Sequence, residues 1–101
     1  MNSNEIVKQW VSKRSSFYFF LPDGPYERPF DNQYLIERIE DTSDGFKIFL
    51  SHNLMLHFIG NTTIEDEGCN LLIKNFNQCI FGYNDDKTKR YDQGEVVLSG
   101  F

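Results

Sequence analysis

Residues that staple or break a fold are scarce here: the chain carries two cysteines and three prolines. Cys69 and Cys79 do not make a disulfide framework, so an apolar core has to hold the domain together. The prolines all fall between Pro22 and Pro29, which confines that punctuation to one loop. Long hydrophobic runs are missing too. The longest, Phe17 to Leu21, is far short of the roughly 18 apolar residues a membrane span requires. Positive charge is in deficit, with 10 Lys and Arg against 15 Asp and Glu and a formal net charge of -5. A nucleic-acid binder normally carries a basic stripe to neutralise phosphates, so this balance argues against that class. Lys13-Arg14 and the group Lys87, Lys89 and Arg90 are short clusters that read as solvated surface. Met1-Asn2-Ser3-Asn4-Glu5 lacks the basic start and apolar stretch of a signal peptide, so a cytoplasmic protein with reduced thiols is expected. In that setting the Asn61-Thr62-Thr63 sequon carries no meaning.

What is present is aromatic mass. Of the 101 residues 16% are aromatic, ten of them Phe, within a composition 40% hydrophobic and 25% charged. That is globular rather than disordered. The length suits a single domain, 1–101, whose folding hides roughly two-thirds of the unfolded surface. Flat, bulky side chains at this density favour a pleated sheet that buries them on one face.

Helical periodicity occurs once. Ile6, Val7, Trp10 and Val11 follow the i, i+3, i+4 spacing of one face, predicting an amphipathic helix over about 3–14. Asn2 and Glu5 stand as cap and reciprocal partner, and Lys13 and Arg14 suit its C-terminal end. A helix this short needs something to lie on, so the Trp10 face must pack. Sheet is expected over about 16–99. Strands are predicted at 16–21, 35–40, 46–51, 54–59, 70–76, 79–83 and 95–99. In the second, Leu35, Glu37 and Ile39 share one face. Asp41 to Gly45 reads as a hairpin turn with left-handed positions supplied by Asp-Gly. Asn77-Gln78 reads as a tight turn between its neighbours, and 84–90 as a polar loop. The expected class is mainly β (α+β). It is a curved antiparallel meander sheet or partly open barrel of about six or seven strands, with one N-terminal helix over one end.

Tests for catalytic chemistry return little. His52 sits at a turn and His57 in mid-strand, and their odd separation puts them on opposite faces of an unbroken strand. Cys79, beside Ile80 and Phe81, reads as a packed thiol, and Cys69 and Cys79 lack zinc-site spacing. The segment 84–95 begins with acids and ends with Glu95, but its sixth position is Lys89 where a calcium loop needs Gly. No phosphate loop or nucleophile elbow appears, so no metal and no cofactor are expected. The run Glu65-Asp66-Glu67 reads either as a solvated loop or as part of an acidic patch for a basic partner.

The most specified stretch is 22–32. Pro25 and Pro29 restrict the backbone, and Arg28 suits an ion pair with Asp31 or Asp23. Such a loop is a rigid corner or a binding platform. Its Leu21-Pro22-Asp23-Gly24 start, its Arg28-Pro29-Phe30-Asp31-Asn32 box and the late Gly94-Glu95-Val96-Val97 strand resemble a group of small bacterial proteins of uncharacterised function. The resemblance implies a bacterial source and a β-rich domain, and brings no activity, cofactor or catalytic residue.

Two functions follow as expectations. One is a non-enzymatic protein-interaction module, immunity- or adaptor-like, whose acid excess would steer it to a basic protein partner and leaves a homodimer open. The other is a small-ligand site or weak enzyme in the mouth of a curved sheet, with Tyr18, Tyr26, Arg28, Asp31 and His57 as its residues. An aromatic-lined pocket favours the second, and a flat apolar patch rimmed by Asp and Glu the first.

Overall fold

The computed structural model describes residues 3–22, 34–51, 53–83 and 87–100. Helix α1 spans Ser3–Ser12, a little shorter than its pattern. Val7 and Trp10 are buried and Val11 half-buried, while Glu5, Lys8 and Gln9 face water. The next two amides, Lys13 and Arg14, reach back to the Trp10 and Val11 carbonyls, which closes the last turn. Arg14 also donates to the Trp10 carbonyl at 2.8 Å, placing its charge at the negative end of the helix dipole.

Nine strands follow: β1 Phe17–Phe20, β2 Ile36–Thr42, β3 Gly45–Leu50, β4 Leu54–Ile59, β5 Thr63–Glu67, β6 Asn70–Lys74, β7 Gln78–Tyr83, β8 Lys87–Tyr91 and β9 Glu95–Gly100. The protein is thus mainly β with one short helix. Its sheets, ordered β1-β9-β6-β5 and β2-β3-β4-β7-β8, are antiparallel throughout and do not close into a barrel. Strict alternation explains the layering. Phe17, Phe19, Leu71, Ile73, Val96 and Leu98 turn inward from the four-stranded sheet, and Phe46, Ile48, Leu50, Leu54, Leu56, Phe58, Cys79 and Phe81 from the five-stranded one. These side chains form one core, and Phe19 on β1 lies 5.6 Å from Phe81 on β7, centroid to centroid.

Five details differ from the pattern-based expectation. Asn77-Gln78 is not a tight hairpin turn: residues 75–77 form a corner between sheets and Gln78 opens β7, with β6 paired to β5 and β9 and β7 to β4 and β8. Asn75 takes a left-handed φ of 61°, the Asn77 amide bonds the Ile59 carbonyl, and Phe76 drops into the core against Phe58. Cys79 therefore lies opposite Phe58 and Tyr91. The acidic run Glu65-Asp66-Glu67 belongs to strand β5, and 87–91, expected within a loop, is strand β8. Both are edge strands, so little of either is buried and the apolar alternation is weak.

In β2 the register shifts between Ile36 and Arg38, and this bulge turns Ile36 to the same side as Ile39. Both isoleucines pack on the core, and Leu35 is left 58% exposed. Finally, Gly45 is not left-handed. It is needed because β4 passes so close that a Cβ would stand 1.9 Å from the Phe58 carbonyl oxygen. Among the described residues no helix is long and apolar enough to cross a membrane.

Trp10 fixes the helix to this frame. It is 2% exposed, its ring centre is 5.7 Å from that of Phe17, and Nε1 donates to the Gly68 carbonyl at 2.9 Å. Trp10→Ala should cost about 3–5 kcal/mol in a denaturant titration, the range for emptying a large aromatic site. Trp10→Phe keeps most of the packing and loses the hydrogen bond, so it should cost clearly less, about 1–2 kcal/mol.

Candidate functional site

Of the sequence candidates, Tyr26, Arg28 and Asp31 lie outside the described residues, as does the expected Arg28 ion pair. Two can be placed. Tyr18 stands on the outer face of the four-stranded sheet and His57 on the outer face of the five-stranded one, so the fold does not bring them together. The one part of the 22–32 stretch that is described, Pro22, packs on Gly94. Gly94 has φ +108°, and a Cβ there would stand 2.7 Å from that of Pro22. The loop start and the late Gly-Glu-Val-Val strand, far apart in sequence, meet at this contact.

His57 is held at 3.3 Å from Asp44 Oδ1, and the same oxygen accepts the Thr42 hydroxyl at 2.7 Å. The arrangement is the reverse of a nucleophile relay, in which imidazole would stand between hydroxyl and carboxylate. Here both groups converge on the carboxylate, which ties the β2–β3 turn to β4. Thr42 donation, opposed by partial desolvation and reinforced by His57, holds the Asp44 carboxyl below its ordinary value of 3.8. Among the described residues no three His, Cys, Asp or Glu are placed to hold a metal ion.

A shallow trough of about 330 Å³ runs between α1 and edge strand β2, lined by Lys8, Val11, Ser12, Ile36, Glu37, Arg38 and Ile39. Its Arg38 is already ion-paired with Glu40 and stacked 3.9 Å over the Phe49 ring. Aromatic rings do not line it.

The feature that does answer the criterion of a flat, acid-rimmed apolar patch is the outer face of the four-stranded sheet. Cross-strand register places Phe20, Val97, Leu72 and Glu65 in one row and Tyr18, Ser99, Asn70 and Glu67 in the next. Glu95 and Lys74 pair beyond them. Tyr18, Phe20, Leu72 and Val97 are each half-buried and form an apolar band across this face. Among the described residues three carboxylates share a single ammonium: Lys74 Nζ lies 2.6 Å from Glu65 Oε1, and its pKa is raised chiefly by that bond, with the charges of Glu95 and Glu67 adding. The face is therefore apolar along its middle and net negative around it.

Phe20, Leu72 and Val97 escaped the search for chemical motifs, yet the chain carries a signal for them. Phe17 to Phe20, Leu71-Leu72-Ile73 and Val96-Val97-Leu98 are unbroken apolar runs. A strand with one wet face alternates, so a run without alternation puts apolar groups on both faces. No protein-family model matches the chain, and no curated protein or solved structure matches it.

Two measurements check this geometry. Thr42→Val should move the Asp44 carboxyl up toward its ordinary value in an NMR titration. Because the folded pKa is the lower one, the bond's contribution to stability is present above pH 3.8 and fades as pH falls through the folded value. An unmoved Asp44 would show that Thr42 does not hold it. The two thiols are free, Cys69 exposed and Cys79 buried, and burial pushes the Cys79 thiol up to about 12. A thiol reagent at neutral pH should thus modify Cys69 alone in the folded chain and both residues after denaturation.

Proposed function

We propose that this chain is a non-enzymatic protein-docking module of the bacterial cytoplasm, immunity- or adaptor-like. Its docking surface is the outer face of the four-stranded sheet, and its partner presents apolar groups ringed by Lys and Arg. The observation that carries this reading is the band Tyr18, Phe20, Leu72 and Val97 bordered by Glu65, Glu67 and Glu95. Apolar area at the centre supplies affinity, while the carboxylates speed encounter with a basic surface and repel acidic ones. The bacterial assignment draws on the Leu21-Pro22-Asp23-Gly24, Arg28-Pro29 and Gly94-Glu95 resemblance. The cytoplasmic one draws on two cysteines that form no disulfide.

The test uses the chain as bait at low concentration in an extract of its source cells, beside a Glu67→Lys/Glu95→Lys/Leu72→Ser variant of matched thermal stability. The wild type should retain a protein with a basic surface, release it as salt rises, and outperform the variant at least tenfold. That difference corresponds to about 1.4 kcal/mol. Equal retention by both baits would place the docking surface elsewhere.

A further inference from the structure

The β2–β3 turn contains a chemically vulnerable bond, Asp44-Gly45. A backbone amide can attack the carboxyl of the side chain before it, and glycine, with no Cβ, hinders that attack least. The Gly45 nitrogen bonds to the Asp44 carboxyl carbon, while the amide proton and the carboxyl hydroxyl leave together as water. Solvent water then opens the five-membered imide at either carbonyl. One opening restores Asp44. The other leaves isoaspartate, whose main chain runs through the former side chain and is one methylene longer. Replacing the glycine offers no escape. A Cβ at this position would stand 1.9 Å from the Phe58 carbonyl oxygen, so the close approach of β4 fixes glycine there. Water has access as well, since the Asp44 side chain is 50% exposed.

We infer that Asp44-Gly45 is a latent isoaspartate modification site, held closed by the joint grip of Thr42 and His57 on the Asp44 carboxylate. The Thr42 hydroxyl donates to Oδ1 at 2.7 Å, and His57 Nε2 stands 3.3 Å from the same oxygen. Attack needs the protonated carboxyl, because an ionised one has no hydroxyl to release as water. Thr42 above all, with His57 adding, favours the ionised form. Turning the carboxyl carbon onto the Gly45 nitrogen also has to break both contacts. The main chain resists too. The Asp44 carbonyl accepts the Gly60 amide at 2.7 Å, and Gly45 pairs with Thr42 on one side and Ile59 on the other. Conversion would lengthen the connection into β3, whose register buries Phe46, Ile48 and Leu50. The grip on one carboxylate thereby protects the alignment of an inner strand. The site belongs to the five-stranded layer, so its test leaves the docking reading of the other layer untouched.

The test ages the full chain, folded and well below its melting temperature, in warm buffer near neutral pH. Trypsin then releases 39–47, a peptide holding Asp44-Gly45 apart from Asp23-Gly24, the other such pair. Electron-transfer fragmentation locates isoaspartate at residue 44. The wild type should convert at least about tenfold more slowly than the same chain kept denatured in urea. Thr42→Val removes the hydroxyl and keeps the shape, and should convert about threefold faster than wild type or more, within the reach of one hydrogen bond. Thr42→Ser restores the hydroxyl and should return the rate to that of wild type. His57→Phe should speed conversion by a smaller factor, its bond being the longer one. Exchange of the Gly45 amide, followed by NMR, separates a freed carboxylate from a loosened turn, and should be unchanged in Thr42→Val. A folded wild type that converts at the denatured rate overturns the inference. So does Thr42→Val or His57→Phe at the wild-type rate, or faster conversion that comes only with faster Gly45 exchange.

Discussion

Everything in this protein depends on burying the inner faces of two sheets against each other, and Phe19 stands at the seam. Its ring contacts Phe81 of the opposite layer, and Tyr34 also lies 5.0 Å from it, centroid to centroid. Tyr34 is itself tied to β1 by a pair of backbone bonds with Phe17. Aromatic rings at these spacings add directional contacts to the area they remove from water. Because every inward position is filled, a one-residue slip of any central strand would expose its whole apolar set, so register is strongly specified. That rigidity is also what fixes the outward rows. Leu72 stands beside Val97 because Leu71, Ile73, Val96 and Leu98 leave the strands no other alignment.

The helix and the corner at 75–77 serve the same core. Trp10 covers the end of the four-stranded layer beside Phe17, and Phe76 plugs the point where the chain leaves that layer for the other. Thr42, Asp44 and His57 form a polar counterpart on the outer side, joining a turn to a strand at an exposed margin.

Central strands were legible in the sequence because their alternation is clean. Phe46, Ile48 and Leu50, and Leu54, Leu56 and Phe58, appear in the structure on the face their spacing assigns them. Of the edge strands, β1 and β2 were legible but β5 and β8 were not, since at most one buried side chain, as with Tyr91 in β8, leaves no period to read. The bulge before Arg38 and the corner at Asn75 are backbone events that side-chain spacing records only as an anomaly. Asn77-Gln78 has the composition of a tight turn, and local chemistry cannot distinguish reversing within a sheet from crossing to another. The candidate surface was legible only in part. Glu65 and Glu67 drew attention as a charged run, but the strand pairing that sets them beside Leu72 and Asn70 joins residues through a hairpin that sequence spacing alone had assigned to a loop.

The place of β9 in this topology bears on how the molecule is made. The C-terminal strand lies between β1 and β6, two strands that do not touch each other, so the four-stranded layer has no continuous hydrogen-bonding until residues 95–100 arrive. On a ribosome, β2, β3 and β4 can form a local meander early, whereas β1 waits through nearly the entire length of the chain for its partner. Pairing so remote in sequence slows the search for the native state. Until it closes, the apolar inner faces of β1 and β6 stand uncovered, the period in which a nascent chain is most open to chaperones and to aggregation.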